Sequence, residues 1–305
     1  MTSPSQVSLG DWIGLGILAL LWGSAFAFIA IGLDGVPPAG IAFVRLGIAA
    51  GLLTAYAYWR GHRLPPLSDA RWPWWVALGF FGNALPFFLI PWAQQELSSG
   101  VTGILLAVMP LATVGLAHFF ADEPMTRMKF AGFLIGFAGV VVLIGPSALA
   151  GLGGPMFIAK LAVLLAALVY AINMILVRRA PQTPPSLSAA GMLITSALWA
   201  APVGLWSLSS SSADMSWTAW SAVVWLGLGP TAIASVYYMR LIGSAGASFA
   251  STVNYLVPVV AVLAGFALGE TIGWMSLAGL AIILAGIAIA RRGQPSRPPR
   301  TDSDP

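Results

Sequence analysis

Ten stretches of mostly apolar residues, each long enough to cross a lipid bilayer, follow one another along this 305-residue chain. A membrane-spanning helix needs about 20 such residues. In lipid the backbone must satisfy its own hydrogen bonds, which a helix does within one segment. The sequence therefore predicts an all-α integral membrane protein with ten transmembrane helices. The expected spans are residues 12–33, 38–59, 73–94, 99–120, 127–146, 156–178, 186–208, 217–240, 247–268 and 272–290.

The composition agrees with a membrane environment. Hydrophobic residues make up 58% of the chain and charged residues only 8%, whereas soluble proteins are about 25% charged. The chain has no cysteine, which excludes disulfides, thiolate metal sites and a cysteine nucleophile. Its net charge of +4 comes from basic residues scattered in ones and twos, which is not a nucleic-acid-binding pattern. We expect a lipid bilayer around the chain and no metal, cofactor or nucleic acid.

The spans repeat after about 148 residues. LALLWGSAFAF at 18–28 aligns with AALVYAINMIL at 166–176, and the same step superimposes Pro110 on Pro258. Because each copy has five spans, an odd number, the second copy must insert upside down relative to the first. Inverted repeats are typical of alternating-access transporters. We expect a first five-helix repeat at 1–146, a linker at 147–155, an inverted second repeat at 156–292 and a disordered cytoplasmic tail at 293–305.

The basic residues predict the orientation of the chain. If the N-terminus is cytoplasmic, all but two of the 14 lysines and arginines fall on the cytoplasmic side, as the positive-inside rule requires. We therefore expect a multi-pass protein of the bacterial inner membrane whose two termini both lie in the cytoplasm. The two others, Arg45 and Lys160, lie inside spans, where ionisable side chains usually face the bundle or a water-filled cavity. Each predicts a substrate or ion contact. Structural alternatives are that Lys160 reaches the outer headgroups and that Arg45 caps carbonyls or pairs with a neighbour.

Polar and aromatic side chains near the middle of the spans predict a substrate site, because transporter sites lie near the midplane at the repeat interface. Tyr170 and Asn173 are three residues apart and share a helix face, and Trp22 occupies the repeat position of Tyr170. The two rings could enclose an apolar substrate while amides bind its polar end. Packing and interhelical hydrogen bonds are the structural alternatives. The candidates are Trp22, Ser24, Asn83, Tyr170, Asn173, Thr231, Tyr237 and Asn254.

Prolines, glycines and glutamates suggest further roles. Pro110 and Pro258 fall in the middle of spans four and nine, where proline kinks a helix, so we expect kinks or hinges there. Glycines in spans five and ten predict close packing, between the repeats or at a dimer face. Glu123 and Glu270 follow spans four and nine and are expected to stabilise the helix that begins next. The absence of an acidic residue at the midplane disfavours coupling through a buried carboxylate.

Several short motifs mark the two copies. Trp22-Gly23-Ser24 lies in span one and Arg45 in span two, and the pairs Pro110…Glu123 and Pro258…Glu270 lie at matching places in the two copies. These motifs resemble the drug/metabolite transporter superfamily and, more narrowly, its EamA-type members. The resemblance implies two five-helix repeats and a cavity lined by spans one, three, four, six, eight and nine. It is strongest to bacterial aromatic amino-acid exporters. The second copy departs from the pattern at Leu193, where the repeat would place an arginine.

The sequence thus predicts an inner-membrane exporter of small amphiphilic metabolites, with aromatic and neutral amino acids as the leading substrates. Export of drugs, purines or other metabolites is an alternative. Exchange of sugar phosphates or nucleotide sugars would need several converging basic residues. An intramembrane enzyme is disfavoured because no metal-ligand cluster or catalytic pair shares one depth. The exact substrate, the coupling ion and the choice between monomer and homodimer stay open.

Overall fold

The computed structural model describes residues 7–120, 125–144, 154–211 and 216–292, and within these ranges every regular element is a helix. Most of the expected linker, the expected tail and Glu123 lie outside the described residues. Ten spans can be followed. Their bounds are Leu9–Leu33, Pro38–Trp59, Arg71–Ala93, Ser99–Phe120, Arg127–Ile144, Pro155–Arg179, Pro185–Ser210, Trp217–Ala250, Val253–Ala267 and Trp274–Arg292, called spans one to ten below.

Seven of the described helices, or series of contiguous helices, are long and apolar enough to cross a membrane, and spans nine and ten are shorter apolar helices. With Arg127–Ile144, these correspond to the ten expected segments. Span nine begins at Val253 instead of residue 247, and span one begins at Leu9 instead of residue 12. At the start of span one the sequence gives a local reason for the difference. Ser8 and Asp11 form a capping box there, in which the Asp11 amide donates to Ser8 Oγ at 3.2 Å and the Ser8 amide donates to Asp11 Oδ2 at 2.9 Å. Such a box satisfies amides that a helix start leaves unpaired.

Span eight continues as helix beyond its expected end at residue 240, to Ala250. The chain is interrupted at Gly246, whose φ of +85° lies in the left-handed region that favours glycine. A four-residue helical stretch follows before the turn that precedes Val253. The connection expected at residues 241–246 is therefore helical up to a single-residue break at Gly246.

Contacts between span ends show which ends share a face of the bundle. On one face Ser244 Oγ donates to Asp11 Oδ1 at 2.6 Å, Arg179 donates to Phe120 O, and His62 Nδ1 lies 2.9 Å from Ser186 Oγ. On the other face Ser99 Oγ donates to Glu270 Oε2 at 2.9 Å. Each of these contacts joins ends that a chain crossing back and forth ten times would place together. The contacts support the segment count without reference to charge.

The connection between spans two and three carries an ion pair at the same face as Asp11. Arg71 Nε donates to Asp69 Oδ1 at 2.8 Å, and the Arg71 amide donates to the same oxygen at 2.9 Å. These hydrogen bonds lower the pKa of the Asp69 carboxyl to about 2. The pair fixes the turn into span three.

The two sets of five spans pack as an interleaved, pseudo-symmetric bundle. Span two packs on span seven and span five on span ten, which are repeat-equivalent pairs. Span one packs on spans eight and nine, and span six packs in the same way on spans three and four. Exchanging the two copies therefore maps the packing onto itself, as expected for two inverted five-helix repeats.

Glycines bring spans five and ten into backbone contact. A Cβ on Gly286 would lie 2.5 Å from Gly136 N, and one on Gly139 would lie 2.8 Å from Ile283 N. No side chain fits at these positions, so small residues permit the crossing. The sequence predicted close packing of these glycines either between the repeats or at a dimer face, and the structure shows them packed between the repeats.

Two short π-helices interrupt the bundle at repeat-equivalent places. They cover Phe80–Ala84 in span three and Gly227–Ile233 in span eight. One begins directly after Leu78-Gly79 and the other begins at the glycine of Leu226-Gly227, and the 148-residue step superimposes these two pairs. A π-helical turn is often found at functional sites because it leaves backbone carbonyls without their usual partners. These two turns lie beside the candidate site.

Candidate functional site

Arg45 lies at the junction of spans two, three and eight. Its side chain is buried, with 6% of its surface exposed. Nε donates to Thr231 Oγ1 at 2.7 Å, and the guanidinium carbon lies 3.8 Å from the centroid of the Phe87 ring. Arg45 therefore contacts the second repeat through the hydroxyl of Thr231 and packs on the Phe87 ring within its own repeat.

The π-helix of span eight positions the partner of Arg45. Thr231 is buried, and its Oγ1 donates to Leu226 O at 2.8 Å, five residues earlier in the chain. Five residues is the spacing of a π-helical turn. One hydroxyl thus stabilises the local backbone and accepts the hydrogen bond from Arg45.

Trp22 reaches the same π-helix from span one. Its Nε1 donates to Pro230 O at 3.1 Å, and its ring centroid lies 5.3 Å from that of Tyr238. Tyr170 instead packs against the separate apolar cluster that contains Phe26. The aromatic neighbour of Trp22 is therefore Tyr238, and the expectation that Trp22 and Tyr170 enclose a substrate between them stays a prediction.

The asparagines of spans three and six lie at the other π-helix. Asn83 Nδ2 donates to Ser196 Oγ at 3.2 Å. Asn173 lies against Gly82, where an added Cβ would come within 2.9 Å of its amide atoms. In the described part of the chain, the buried Oδ1 of Asn173 has no hydrogen-bond donor. Glycine at position 82 is therefore what allows the amide to approach the π-helical backbone.

The other candidates are described by their burial and by contacts within their own helices. Ser24 donates to Leu20 O at 2.6 Å within its own helix. Tyr237 and Asn254 are half-buried in spans eight and nine, and Lys160 is half-buried in the second turn of span six. Of the two basic residues within spans, Arg45 is the one that the fold places among the interfacial polar groups.

The two expected proline kinks differ. Span four is interrupted at residues 107–108, directly before the helix Met109–Phe120 that contains Pro110. Span nine instead runs as one uninterrupted helix through Pro258, and its break comes earlier, at residues 251–252. The equivalent prolines therefore do not occupy equivalent bends.

Glu270 caps a different helix from the one expected. Its carboxylate accepts hydrogen bonds from Ser99 N at 2.8 Å, Ser99 Oγ at 2.9 Å and Gly100 N at 3.2 Å. It thus stabilises the start of span four, in the other repeat, and not the start of span ten.

Some residues at the repeat interface carried no sequence signal. Phe87 is one of 15 phenylalanines, and only the fold shows that its ring faces Arg45. Ser196 is fully buried and receives Asn83, whereas span seven has several similar serines. Within the described ranges, no group of three or more His, Asp or Glu side chains is placed to hold a metal ion.

Comparison with known proteins identifies the family to which this helical bundle is similar. The EamA-like transporter family matches the chain twice, at residues 10–145 and 157–292. A "Probable terminal-alkyne amino-acid exporter" of Streptantibioticus cattleyicolor is 30% identical, over 94% of this chain and 95% of its own length. The "Aromatic amino acid exporter YddG" of Ancylobacter novellus is 31% identical, over 90% and 95%. The "Uncharacterized inner membrane transporter YedA" of Escherichia coli is 28% identical, over 92% and 91%.

A solved crystal structure shares the fold at 27% sequence identity, with a TM-score of 0.63, covering 93% of this chain and 98% of that one. The two family matches coincide with the two halves of the pseudo-symmetric bundle. Because they cover most of the chain, this protein belongs to the EamA-like transporter family.

Proposed function

We propose that this protein exports aromatic and neutral amino acids, or closely related small metabolites, across a bacterial inner membrane by alternating access. Both termini would lie in the cytoplasm, as the distribution of basic residues predicts. Two relatives that match nearly the whole chain are named as amino-acid exporters, and another as an inner membrane transporter.

One observation carries the proposal: polar side chains near mid-span make contacts from one repeat to the other. Trp22 binds Pro230 O, Arg45 binds Thr231, and Asn83 binds Ser196. Transporter sites lie at such an interface between inverted repeats. Rocking one repeat against the other would rearrange these contacts, while the glycine crossing of spans five and ten would hold the halves together.

Radiolabelled phenylalanine, methionine and threonine, tested for counterflow in proteoliposomes, give the direct measurement. We expect at least one to exchange faster than in liposomes without protein. Complete inertness across a broad amino-acid panel would refute the amino-acid assignment. Adding purines and sugar phosphates to the panel tests the alternative substrate classes.

Two tryptophan variants locate the site. Trp22→Ala should reduce exchange without reducing the membrane yield, because it removes the ring and its hydrogen bond at the interface. Trp199→Ala is the matched control. Its indole also binds a backbone carbonyl in the other repeat, Val76 O at 3.2 Å, but its side chain is 48% exposed at the bundle surface. Equal effects of the two substitutions would remove Trp22 from the site.

A further inference from the structure

We propose that Arg45 is the anchor for a single substrate carboxylate. The inference rests on the proposed function and specifies the polar end of the substrate. It follows from the way the guanidinium is held, from the absence of a protein anion beside it, and from the lack of a second such residue in the other repeat.

The guanidinium is fixed at two places and leaves its outer edge available. Nε is engaged by Thr231 Oγ1 at 2.7 Å, and one face stacks on the Phe87 ring at 3.8 Å. Neither contact uses the N–H groups of Nη1 and Nη2. This pair forms the planar fork that binds a carboxylate with two parallel hydrogen bonds. Arg45 is therefore oriented before any ligand arrives.

The charge has no compensating anion in the described part of the chain. No carboxylate there lies within 4 Å of the Arg45 nitrogens, and the ion pair found in the same residues, between Asp69 and Arg71, lies at the start of span three. A buried cation without an anion is costly, particularly within a membrane. A substrate carboxylate would supply the missing charge, so ligands that carry one should be strongly preferred.

The pseudo-symmetry limits the site to one such group. The repeat equivalent of Arg45 is Leu193, which is 4% exposed and packs in an apolar cluster with Leu46. The second repeat thus offers a hydrocarbon surface at the matching position. This arrangement fits a monocarboxylate with an apolar remainder better than a dicarboxylate or a phosphate ester, which would need more than one anchor.

Thr231 acts on the substrate through Arg45 and is therefore a positioning residue. Thr231→Ser keeps the hydroxyl that accepts from Nε, whereas Thr231→Val removes it at nearly constant volume. If the inference holds, Thr231→Val raises the KM for carboxylate substrates, whereas Thr231→Ser keeps the KM near the wild-type value.

Four related compounds test the anchor as competitors in the exchange assay: phenylalanine, phenylalaninamide, phenethylamine and 3-phenylpropionate. For the wild-type protein we expect both carboxylates to compete roughly 10- to 100-fold better than the two compounds without one, the range for leaving a buried charged group unpaired. Equal competition by all four compounds would overturn the inference without the use of any variant.

Substitutions then assign the preference to Arg45. Arg45→Met should abolish the discrimination between phenylalanine and its amide, and Arg45→Lys should keep part of it. Arg240→Met, which changes an exposed arginine within span eight, should leave the discrimination unchanged. If Arg45→Met does not accumulate, Arg45→Lys and Thr231→Val carry the test. A variant at Arg45 that retains full discrimination would refute the assignment.

The outcomes separate this inference from the proposed function. If no amino acid is exchanged but 3-phenylpropionate stabilises the purified protein against heat in an Arg45-dependent way, the anchor stands and the amino-acid assignment fails. If amino acids are exchanged with no preference for a carboxylate, the function stands and the anchor fails. Ligand-induced stabilisation provides this second readout because it depends only on binding.

Discussion

Substituting Glu270 by alanine should shift the protein toward the state in which the bundle is open at the face where spans four and ten begin. In the structure the Glu270 carboxylate accepts two amides and a hydroxyl from Ser99 and Gly100. It also fits beside Gly265, where a Cβ would meet Oε2. The carboxylate thus links the second repeat to the first helix turn of span four.

The size of the effect follows from these contacts. Losing a side-chain cap costs a helix about 1 kcal/mol and at most about 2, and losing a negative charge at a helix N-terminus costs roughly 0.3–1 kcal/mol more. If the contact forms only while this end is closed, the alanine variant loses about 1–3 kcal/mol of closed-state stability. At about 1.4 kcal/mol per factor of ten, the ratio of open to closed molecules rises roughly 5- to 150-fold.

The natural absence of cysteine permits a direct assay. Ala93 is fully buried near this end of span three, so an Ala93→Cys protein should react slowly with a membrane-impermeant maleimide. Adding Glu270→Ala should accelerate the reaction. The control is Glu96→Ala, which removes an exposed carboxylate at the same end. Equal labelling rates in the two double variants would show that Glu270 does not hold this end closed.

Two further predictions concern stability and pH. Gly286→Ala should destabilise the detergent-solubilised protein by about 1–3 kcal/mol through overpacking, because the added Cβ would lie 2.5 Å from the backbone of span five. The control is Gly47→Ala, where an added Cβ has no neighbour within 4 Å. Equal melting temperatures of the two variants would refute close packing of spans five and ten. For Asp69, whose pKa is lowered to about 2, the stabilising contribution of the pair with Arg71 is complete above the ordinary pKa near 3.8 and is lost as the pH falls toward 2. The pH profile of transport between 5 and 8 should therefore be the same for Asp69→Asn and wild type, and a changed profile would contradict the lowered pKa.

The span count was predictable because the bilayer imposes it. About 20 apolar residues per span and the need to satisfy every backbone group leave helices as the solution for such a chain. Span two, Pro38–Trp59, has the predicted bounds. Span one starts earlier because the capping box at Ser8 depends on a side-chain geometry that hydropathy does not measure.

The local interruptions were not predictable from apolar periodicity. Both π-helices begin at or directly after the glycine of a Leu-Gly pair, but glycine alone does not distinguish a π-helical turn from a packing contact. At Gly82 the glycine is required because the Asn173 amide lies against the π-helical backbone, and the sequence does not show this contact. The partner of Glu270 was missed for a related reason. Its position in the sequence, just before span ten, predicted that it stabilises that helix, whereas the fold places its carboxylate against the start of span four.

The candidate site was predicted as a set of residue types at one depth, not as pairs. Depth follows from position along a span, so Arg45 and Thr231 could be placed near mid-membrane separately. Their hydrogen bond depends on the rotation and tilt of spans two and eight, which the packing of both repeats determines. Trp22 illustrates the same limit, because its ring contact with Tyr238 depends on how spans one and eight pack together.

The interleaved packing also has a consequence for biogenesis. Spans two, five and one meet their principal partners in spans seven, ten, eight and nine, all of which are synthesised later. At roughly 5–20 residues per second of translation, the 148-residue offset means that the early helices wait about 7–30 s in the membrane before their partners emerge. During that interval Arg45 has neither Thr231 nor the rest of the second repeat beside it. The first repeat is therefore in the membrane before the second repeat covers its packing surfaces.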